Sequence, residues 1–330
     1  MTDFGIGILG TGKYLPERIL TNQDLEKMVD TSDEWITRRT GMKTRHILND
    51  GIPSYMMGAE AARLAVEDAG LTPLDIDLII VSTEVPDYLS PSMACLIQKE
   101  LKAENAAAFD VNAACTGFVY AMTIAQQFIQ TGYCRYVLVV ANEGLSRIVD
   151  WENRNTCVLF GDAAGAVVMG RVDKKYGIRE SYIAAFGNLG HNLTIPCCFV
   201  SEEEKMKRRE GKERTIWQDG SEVFTFAVRA MAESVKTVVE KAKSTIDDVD
   251  IIVPHQANLR IINGAAKRLE IDESKISVIL HETGNISSAS IPVALDMESK
   301  KGRLREGDTV VLVGFGGGLT CGSILMTWGK

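Results

Sequence analysis

Apolar residues recur along this chain in two alternating rhythms. Short unbroken runs have the length and β-branched content of buried strands: Asp75-Ile-Asp77-Leu-Ile-Ile-Val81, Tyr136-Val-Leu-Val-Val140, Asp248-Val-Asp250-Ile-Ile-Val253 and Thr309-Val-Val-Leu-Val313. Other segments carry apolar residues at helical spacing. Phe118, Met122, Ala125 and Ile129 form one face, with Gly132 as a stop, and Leu259, Ile262, Ala266 and Leu269 form another. Further helical runs, Glu60 to Ala69 and Arg229 to Ala242, each precede a strand. Strands alternating with helices predict an α/β protein.

The pattern also repeats. Asp77 and Asp250 lie 173 positions apart in matching contexts, as do Tyr136 and Thr309. Ala164-Gly-Ala-Val-Val-Met169 resembles Cys321-Gly-Ser-Ile-Leu-Met326 at the shorter offset of 157. Matches in one order predict a duplicated α/β unit, with halves at 1–175 and 176–330. The same offset carries Cys115 to the neighbourhood of Asn285, in Thr283-Gly-Asn285-Ile-Ser-Ser-Ala-Ser290, after a predicted strand from Ile276 to Leu280. Two equivalent helix starts would then face each other, and a shared site is expected where the halves meet.

Composition narrows the class. Hydrophobic residues make up 45% of the 330 positions and charged residues 24%, as in an ordinary globular protein. A formal net charge of −8 argues against nucleic-acid binding. Seven scattered cysteines with no Cys-x-x-Cys pair predict neither a disulfide framework nor a zinc site, so no metal is expected. No basic segment followed by a long apolar one opens the chain, and no apolar run is long enough to span a bilayer. The chain is therefore expected to be cytoplasmic, without membrane association. The one dense charge run, Ser201 to Arg214, reads as a solvated loop or helix.

The chemistry centres on Cys115. In Phe109-Asp-Val-Asn-Ala-Ala-Cys115-Thr-Gly117 it follows a strand-like run and opens the helix that begins near Phe118. Unpaired N–H groups and the helix dipole favour a thiolate there, which predicts covalent attack on a carbonyl. His255 follows the strand ending at Val253, a placement suited equally to function or to a structural hydrogen bond. His46, His191 and His281 read as structural or exposed. Cys95, Cys134, Cys157 and Cys321 read as small buried hydrophobes, and the adjacent Cys197 and Cys198 as exposed without a base. Gly314-Phe-Gly-Gly-Gly318 follows a strand and can present backbone N–H groups to an oxyanion, or serve as a tight turn. Gly5-Ile-Gly-Ile-Leu-Gly10 matches a dinucleotide fingerprint formally, but no strand precedes it and no helix follows, so nucleotide binding is not expected.

With these residues in this order, the chain resembles β-ketoacyl-acyl carrier protein synthase III, a condensing enzyme of the thiolase-like superfamily. The resemblance runs over essentially the whole chain. Besides the Cys115 segment it includes Thr31-Ser-Asp-Glu-Trp-Ile36 with Arg39-Thr-Gly41, Pro91-Ser92, Phe160-Gly-Asp162, Pro254-His-Gln-Ala-Asn-Leu-Arg260, Gly284-Asn285 and Gly316-Gly-Gly318. Degradative thiolases place Asn where this chain has His255 and His where it has Asn285.

The resemblance implies a five-layered α/β/α/β/α fold of two pseudo-symmetric halves, usually a homodimer. It implies that Cys115, His255 and Asn285 are catalytic, with the N–H groups of Cys115 and Gly317 as the oxyanion hole. Acyl-CoA and malonyl-acyl carrier protein would be substrates, and no separate cofactor would be needed. Trp35 and Arg154 would sandwich the adenine of CoA, Arg39 would lie near its phosphates, and Gly220 and Asn258 along its pantetheine arm. Ser90 and Leu319 would border the acyl pocket. Arg260, Lys267 and Arg268, on one side of a helix, would dock the acidic carrier protein, against the plain alternative of a solvated face.

Three departures bear on substrate. Ser90 stands where several members carry a bulky residue, Ser221 where they carry Asn, and the 187–217 segment is longer than in compact members. The leading reading is initiation of fatty acid synthesis. A condensing or acyl-transferring enzyme of a specialised pathway, and a non-catalytic acyl-binding protein, stand as alternatives.

Overall fold

The computed structural model describes residues 3–330. Two sheets carry the duplication. The first has the spatial order Phe4–Tyr14, Asp162–Asp173, Val137–Gly144, Leu78–Ser82, Ala107–Val111. The second has the order Gly177–Ala185, Thr320–Thr327, Thr309–Gly316, Ile251–Pro254. Registers repeat as well as elements. Leu78 pairs with Val137 and Val137 with Met169, while Ile251 pairs with Val310 and Val310 with Met326.

The expected strand from Ile276 to Leu280 does not form. Ile276 makes an isolated parallel bridge to Ile252, and a short helix, Leu280–Thr283, follows. The buried Gln256 side chain takes over the ladder: its Nε2 donates to the Ser277 carbonyl, and its Oε1 accepts from the N–H groups of Ile279 and Leu280. With the backbone groups satisfied by an amide side chain, extended pairing is unnecessary.

Two helices lie between the sheets, Gly117–Gln130 and Ser290–Lys300. The first has no charged residue and buries Phe118, Val119, Met122, Ala125 and Ile129, as a helix covered on both sides requires. Their side chains join strand residues of both halves in one core cluster. Tyr55–Asp68 and Met93–Leu101 cover the outer face of the first sheet, and Gly220–Lys241 with Leu259–Leu269 cover that of the second. The layers run α/β/α/β/α. The predicted helical runs are all present, although Gly220–Lys241 begins nine residues before Arg229.

The glycines near the N-terminus serve packing. A Cβ on Gly10 or Gly12 would lie 2.2 Å from the Ala65 or Ala61 carbonyl oxygen of the covering helix. They sit inside one long strand with no helix behind it, so the dinucleotide pattern is coincidental. Cys134, Cys157 and Cys321 are buried as expected, but Cys95 is exposed. The buried face of its helix is Met93, Ala94, Ile97 and Leu101, and position 95 falls off it. Among the described residues no helix is long and apolar enough to cross a membrane.

Candidate active site

The two halves place matching turns at the centre of the molecule. Ala114–Thr116 forms a single 3-10 turn that leads into Gly117–Gln130, and Ser287–Ala289 forms its counterpart leading into Ser290–Lys300. Ala114 and Ser287 both hold positive φ, 47° and 45°. In each turn an Asn two residues earlier accepts the backbone N–H: Asn112 from Ala114 at 3.1 Å and Asn285 from Ser287 at 2.9 Å. The counterpart of Asn285 is thus Asn112, and Cys115 is matched by Ser288.

This turn orients the Asn285 amide. Its Oδ1 must face the donating N–H of Ser287, which leaves Nδ2 as the free end of the side chain. The backbone of Asn285 is fixed from the other half, its N–H donating to Leu159 O at 2.8 Å and its C=O accepting from Gly161 N at 3.0 Å. Gly284 makes that approach possible: at φ +67°, a Cβ there would lie 2.8 Å from the Leu159 oxygen.

Cys115, His255 and Asn285 line one cleft with Glu84, Phe160, Leu193, Ile216, Phe315 and Gly316. Ser287 joins the three. Its hydroxyl lies 3.4 Å from Cys115 Sγ, its N–H is held by Asn285, and its C=O accepts from Ser290 Oγ at 2.7 Å. Ser290 Oγ in turn lies 2.8 Å from His255 Nδ1.

The Ser290 hydroxyl has one proton and two acceptors within reach. If it donates to the Ser287 carbonyl, Nδ1 carries the imidazole proton and Nε2 has a lone pair. If it donates to Nδ1, His255 has an Nε2–H donor, which is the form that the expected donor role requires.

His255 is 1% exposed and packs edge-on to Phe315. Burial pushes its imidazole down to about 3, opposed by the Ser287 carbonyl. An unfolded His takes up its proton near pH 6.5, so folding loses stability as pH falls from there toward the folded value, by about 1.4 kcal/mol per unit. His255→Gln is expected to flatten the decline of unfolding free energy between roughly pH 6 and 4, followed by urea titration. Parallel declines in the two proteins would contradict a buried neutral imidazole.

The structure corrects the expected state of the nucleophile. Cys115 is 7% exposed, and its thiol is pushed well above the usual range by burial first and by the Glu84 charge second. The Ser287 hydroxyl and the Gly317 N–H act in the opposite direction. A helix N-terminus is worth at most ~2 kcal/mol, whereas full burial can shift a group by roughly 3–5 pKa units. Desolvation therefore wins, and the resting sulfur is a thiol.

Other expected residues divide. Gly220 and Asn258 line the Cys115 cleft, Asn258 capping Leu259–Leu269 through its Oδ1. Trp35, Arg39 and Arg154 form a separate surface cluster. The Arg154 guanidinium lies 4.7 Å above the Trp35 ring and that of Arg39 5.9 Å away. A ring stacked between Trp35 and Arg154 needs about 7 Å, two carbon contacts, so the sandwich is closed in this structure.

Ser90 is exposed and lines neither this cleft nor the adjoining cavity beyond Cys115, which Asn112, Tyr120, Ile195, Gly317 and Thr320 border. Leu319 is fully buried in the outer core and lines neither. Arg260, Lys267 and Arg268 are exposed on one helix, Arg260 over the Phe224 ring at 5.4 Å. His46 is half-buried against the Pro16 carbonyl, and His191 and His281 are exposed.

The charge run is only partly solvated. Arg208 is 2% exposed in its side chain, pairs with Glu204 at 2.6 Å and donates to Thr194 O at 2.9 Å. It clasps a segment whose Leu193, Ile216 and Gln218 form one wall of the cleft. Sequence reasoning missed Glu84, Glu143, Ser287 and Ser290. One signal was available for Glu84: the 173 offset carries His255 back to Ser82, two residues before it.

A cysteine at a helix start, a glycine hairpin beside it and a His/Asn pair from the second half, set in two duplicated α/β layers, define a thiolase-like condensing enzyme, an acyltransferase. The model of 3-oxoacyl-[acyl-carrier-protein] synthase III matches residues 109–187, and that of its C-terminal part matches residues 239–328. The β-ketoacyl-[acyl-carrier-protein] synthase III of Geobacillus kaustophilus is 50% identical over 326 residues, 99% of this chain and 100% of that one. The crystal structure of the Aquifex aeolicus 3-oxoacyl-[acyl-carrier-protein] synthase III superposes with a TM-score of 0.92 at 45% identity, covering 98% of this chain and 100% of that one. The priming β-ketosynthase of a polyketide pathway superposes with a TM-score of 0.92 at 35% identity, over 99% and 97% of the chains. This chain belongs to the 3-oxoacyl-[acyl-carrier-protein] synthase III family. Its activity is the condensation that initiates fatty acid synthesis.

Proposed function

We propose that Cys115 takes an acyl group from acyl-CoA and that the acyl-enzyme condenses with malonyl-acyl carrier protein to give a β-ketoacyl-acyl carrier protein. The observation that carries this reading is the linkage of Cys115, Asn285 and His255 through Ser287 in one cleft. Attack by sulfur develops negative charge on the acyl oxygen, and the N–H groups of Cys115 and Gly317 stabilise it. CoA leaves and the malonyl thioester takes its place. Its carbonyl accepts from Asn285 Nδ2–H and from His255 in its Nε2–H form. Loss of carbon dioxide leaves an enolate on that carbonyl, and its carbon attacks the acyl-Cys thioester. Decarboxylation supplies the carbanion, so Asn285 needs to donate and not to accept a proton.

The same reading includes CoA entry along Gly220 and Asn258, with the Trp35–Arg154 stack opening to admit the adenine. It includes carrier-protein docking on Arg260, Lys267 and Arg268, a homodimeric assembly, a cytoplasmic location and no cofactor beyond the substrates. The 50% identity to the Geobacillus kaustophilus β-ketoacyl-[acyl-carrier-protein] synthase III, over nearly the whole of both chains, supports the primary pathway. Incubation with a panel of acyl-CoAs is expected to add one acyl mass to the wild type and none to Cys115→Ala, read by intact-protein mass spectrometry. Equal labelling of both would refute the nucleophile.

A further inference from the structure

A thiol held in its neutral form must lose its proton before it attacks, and the proposed condensation names no acceptor for it. His255 is engaged through Nδ1 with Ser290 and is buried. Glu84 lies nearer in the hydrogen-bond network. It lines the cleft beside Cys115 and the adjoining cavity, and its Oε1 accepts from Ser287 Oγ, the hydroxyl 3.4 Å from Cys115 Sγ. Ser287 is held in that place by the Asn285 turn at φ +45°, a conformation unusual for a side chain-bearing residue.

Behind Glu84 lies a second carboxylate. Glu143 is fully buried, accepts from the Glu84 N–H at 3.3 Å and is hydrogen-bonded by Ser288 Oγ. The titratable groups facing the sulfur are Glu84, Glu143 and His255, with Tyr120 in the adjoining cavity, and no Lys or Arg lines either space. Among the described residues neither glutamate has a cationic partner. Burial drives both carboxyls upward, and the charge of Glu84 adds to the rise of Glu143. Two adjacent buried carboxyls without a cation are easier to protonate than free ones, because burial and mutual repulsion disfavour two charges side by side. A structural role alone does not require Glu84 to reach the reacting sulfur through a single hydroxyl.

We propose that Glu84, acting through the Ser287 hydroxyl, is the proton acceptor that converts Cys115 to a thiolate for acyl loading. The proposal rests on Cys115 being the nucleophile. Ser287 passes its hydroxyl proton to Glu84 Oε1 and takes the thiol proton from Cys115. The sulfur forms its bond to the acyl carbon as the bond from that carbon to the CoA sulfur breaks. The proton on Glu84 returns along the same path to the departing CoA thiolate. The products are acyl-Cys115 and neutral CoA thiol, with no net proton gained or lost.

The test is single-turnover loading from acetyl-CoA, followed by intact mass across a pH series in wild type, Glu84→Gln and Ser287→Gly. Glutamine keeps an oxygen for the Ser287 hydroxyl, and glycine tolerates the positive φ, so both preserve the turn. Loss of the relay is expected to slow loading by roughly 10²–10⁴-fold near neutral pH, in the range of general acid–base catalysis, and to make the rate climb steeply with pH toward the alkaline side. A purely electrostatic Glu84 predicts the reverse: removing its charge makes the thiol easier to ionise, so Glu84→Gln would load as fast as wild type or faster. Either that result or an unshifted pH profile in Ser287→Gly would overturn the relay. Thermal melts check that each variant is folded, and either variant alone decides the matter. If wild type itself acquires no acyl mass on Cys115, the nucleophile assignment has failed; normal wild-type loading with undiminished loading in the variants refutes the relay alone.

Discussion

Asn285→Asp is expected to accept an acyl group from acyl-CoA close to the wild-type rate and to lose condensation with malonyl-acyl carrier protein by about 10²–10³-fold, the cost of removing one oxyanion donor. The substitution keeps the turn and exchanges the donor for an acceptor. Oδ1 of Asn285 holds the Ser287 N–H at 2.9 Å, and an aspartate oxygen can do the same. What disappears is Nδ2–H, and what replaces it repels the enolate. Asn285→Ala is the less informative variant, because it also leaves the buried Ser287 N–H unpaired, at about 1–3 kcal/mol, and frees the hydroxyl that touches Cys115. Loading is read as acyl mass on the protein, and condensation as product formed from the preloaded enzyme. Full condensation by Asn285→Asp would remove Asn285 from the decarboxylation step; loss of both half-reactions would mean that the turn, and not the donor, had been broken.

What could be read in the sequence and what could not divides along a physical line. The duplication was legible because buried strands constrain both residue type and register: the 173 offset between Leu78 and Ile251 is also that between their partners Val137 and Val310. Cys115 and His255 were legible because one opens a helix and the other follows a strand end, places where α/β proteins put chemistry, whereas Asn285 was reached through the 173 offset; the structure brings all three into one cleft. The strand expected at Ile276 to Leu280 failed because a single amide, Gln256, satisfies the backbone groups that a neighbouring strand would have paired. Arg208 was read as solvated because a charge run is polar by composition, yet its partner Thr194 lies outside the run.

The ionisation of Cys115 was misjudged for a related reason. The helix dipole is visible in local sequence, whereas burial and the approach of Glu84 and Glu143 are products of tertiary structure. Trp35 and Arg154 came from family resemblance alone, and the structure does bring them into contact.

Gly316→Ala is expected to suppress acyl loading by at least roughly 10²-fold, since a misplacement of about 1 Å at a reacting atom costs that much. Gly316 ends the strand Thr309–Gly316 and pairs with Thr320 across the hairpin. A Cβ there would lie 2.7 Å from Cys115 Cβ and 2.9 Å from its sulfur, well inside the ~3.5–4.0 Å at which carbon atoms pack. Neither side has room to yield freely. Cys115 Cβ is fixed by the turn that starts Gly117–Gln130, and Gly316 by its pairing with the neighbouring strand. The softest coordinate is rotation of the sulfur, which carries it away from the Gly317 N–H and the Ser287 hydroxyl together. Loading, oxyanion stabilisation and proton removal then fail at once, although none of their own groups has been changed. Gly187→Ala is the control, because a Cβ there meets nothing within 4 Å. Acyl mass appearing on Gly316→Ala at the wild-type rate would show that the hairpin relaxes around the methyl group, and that the close approach of Gly316 to the nucleophile is not what the chemistry requires.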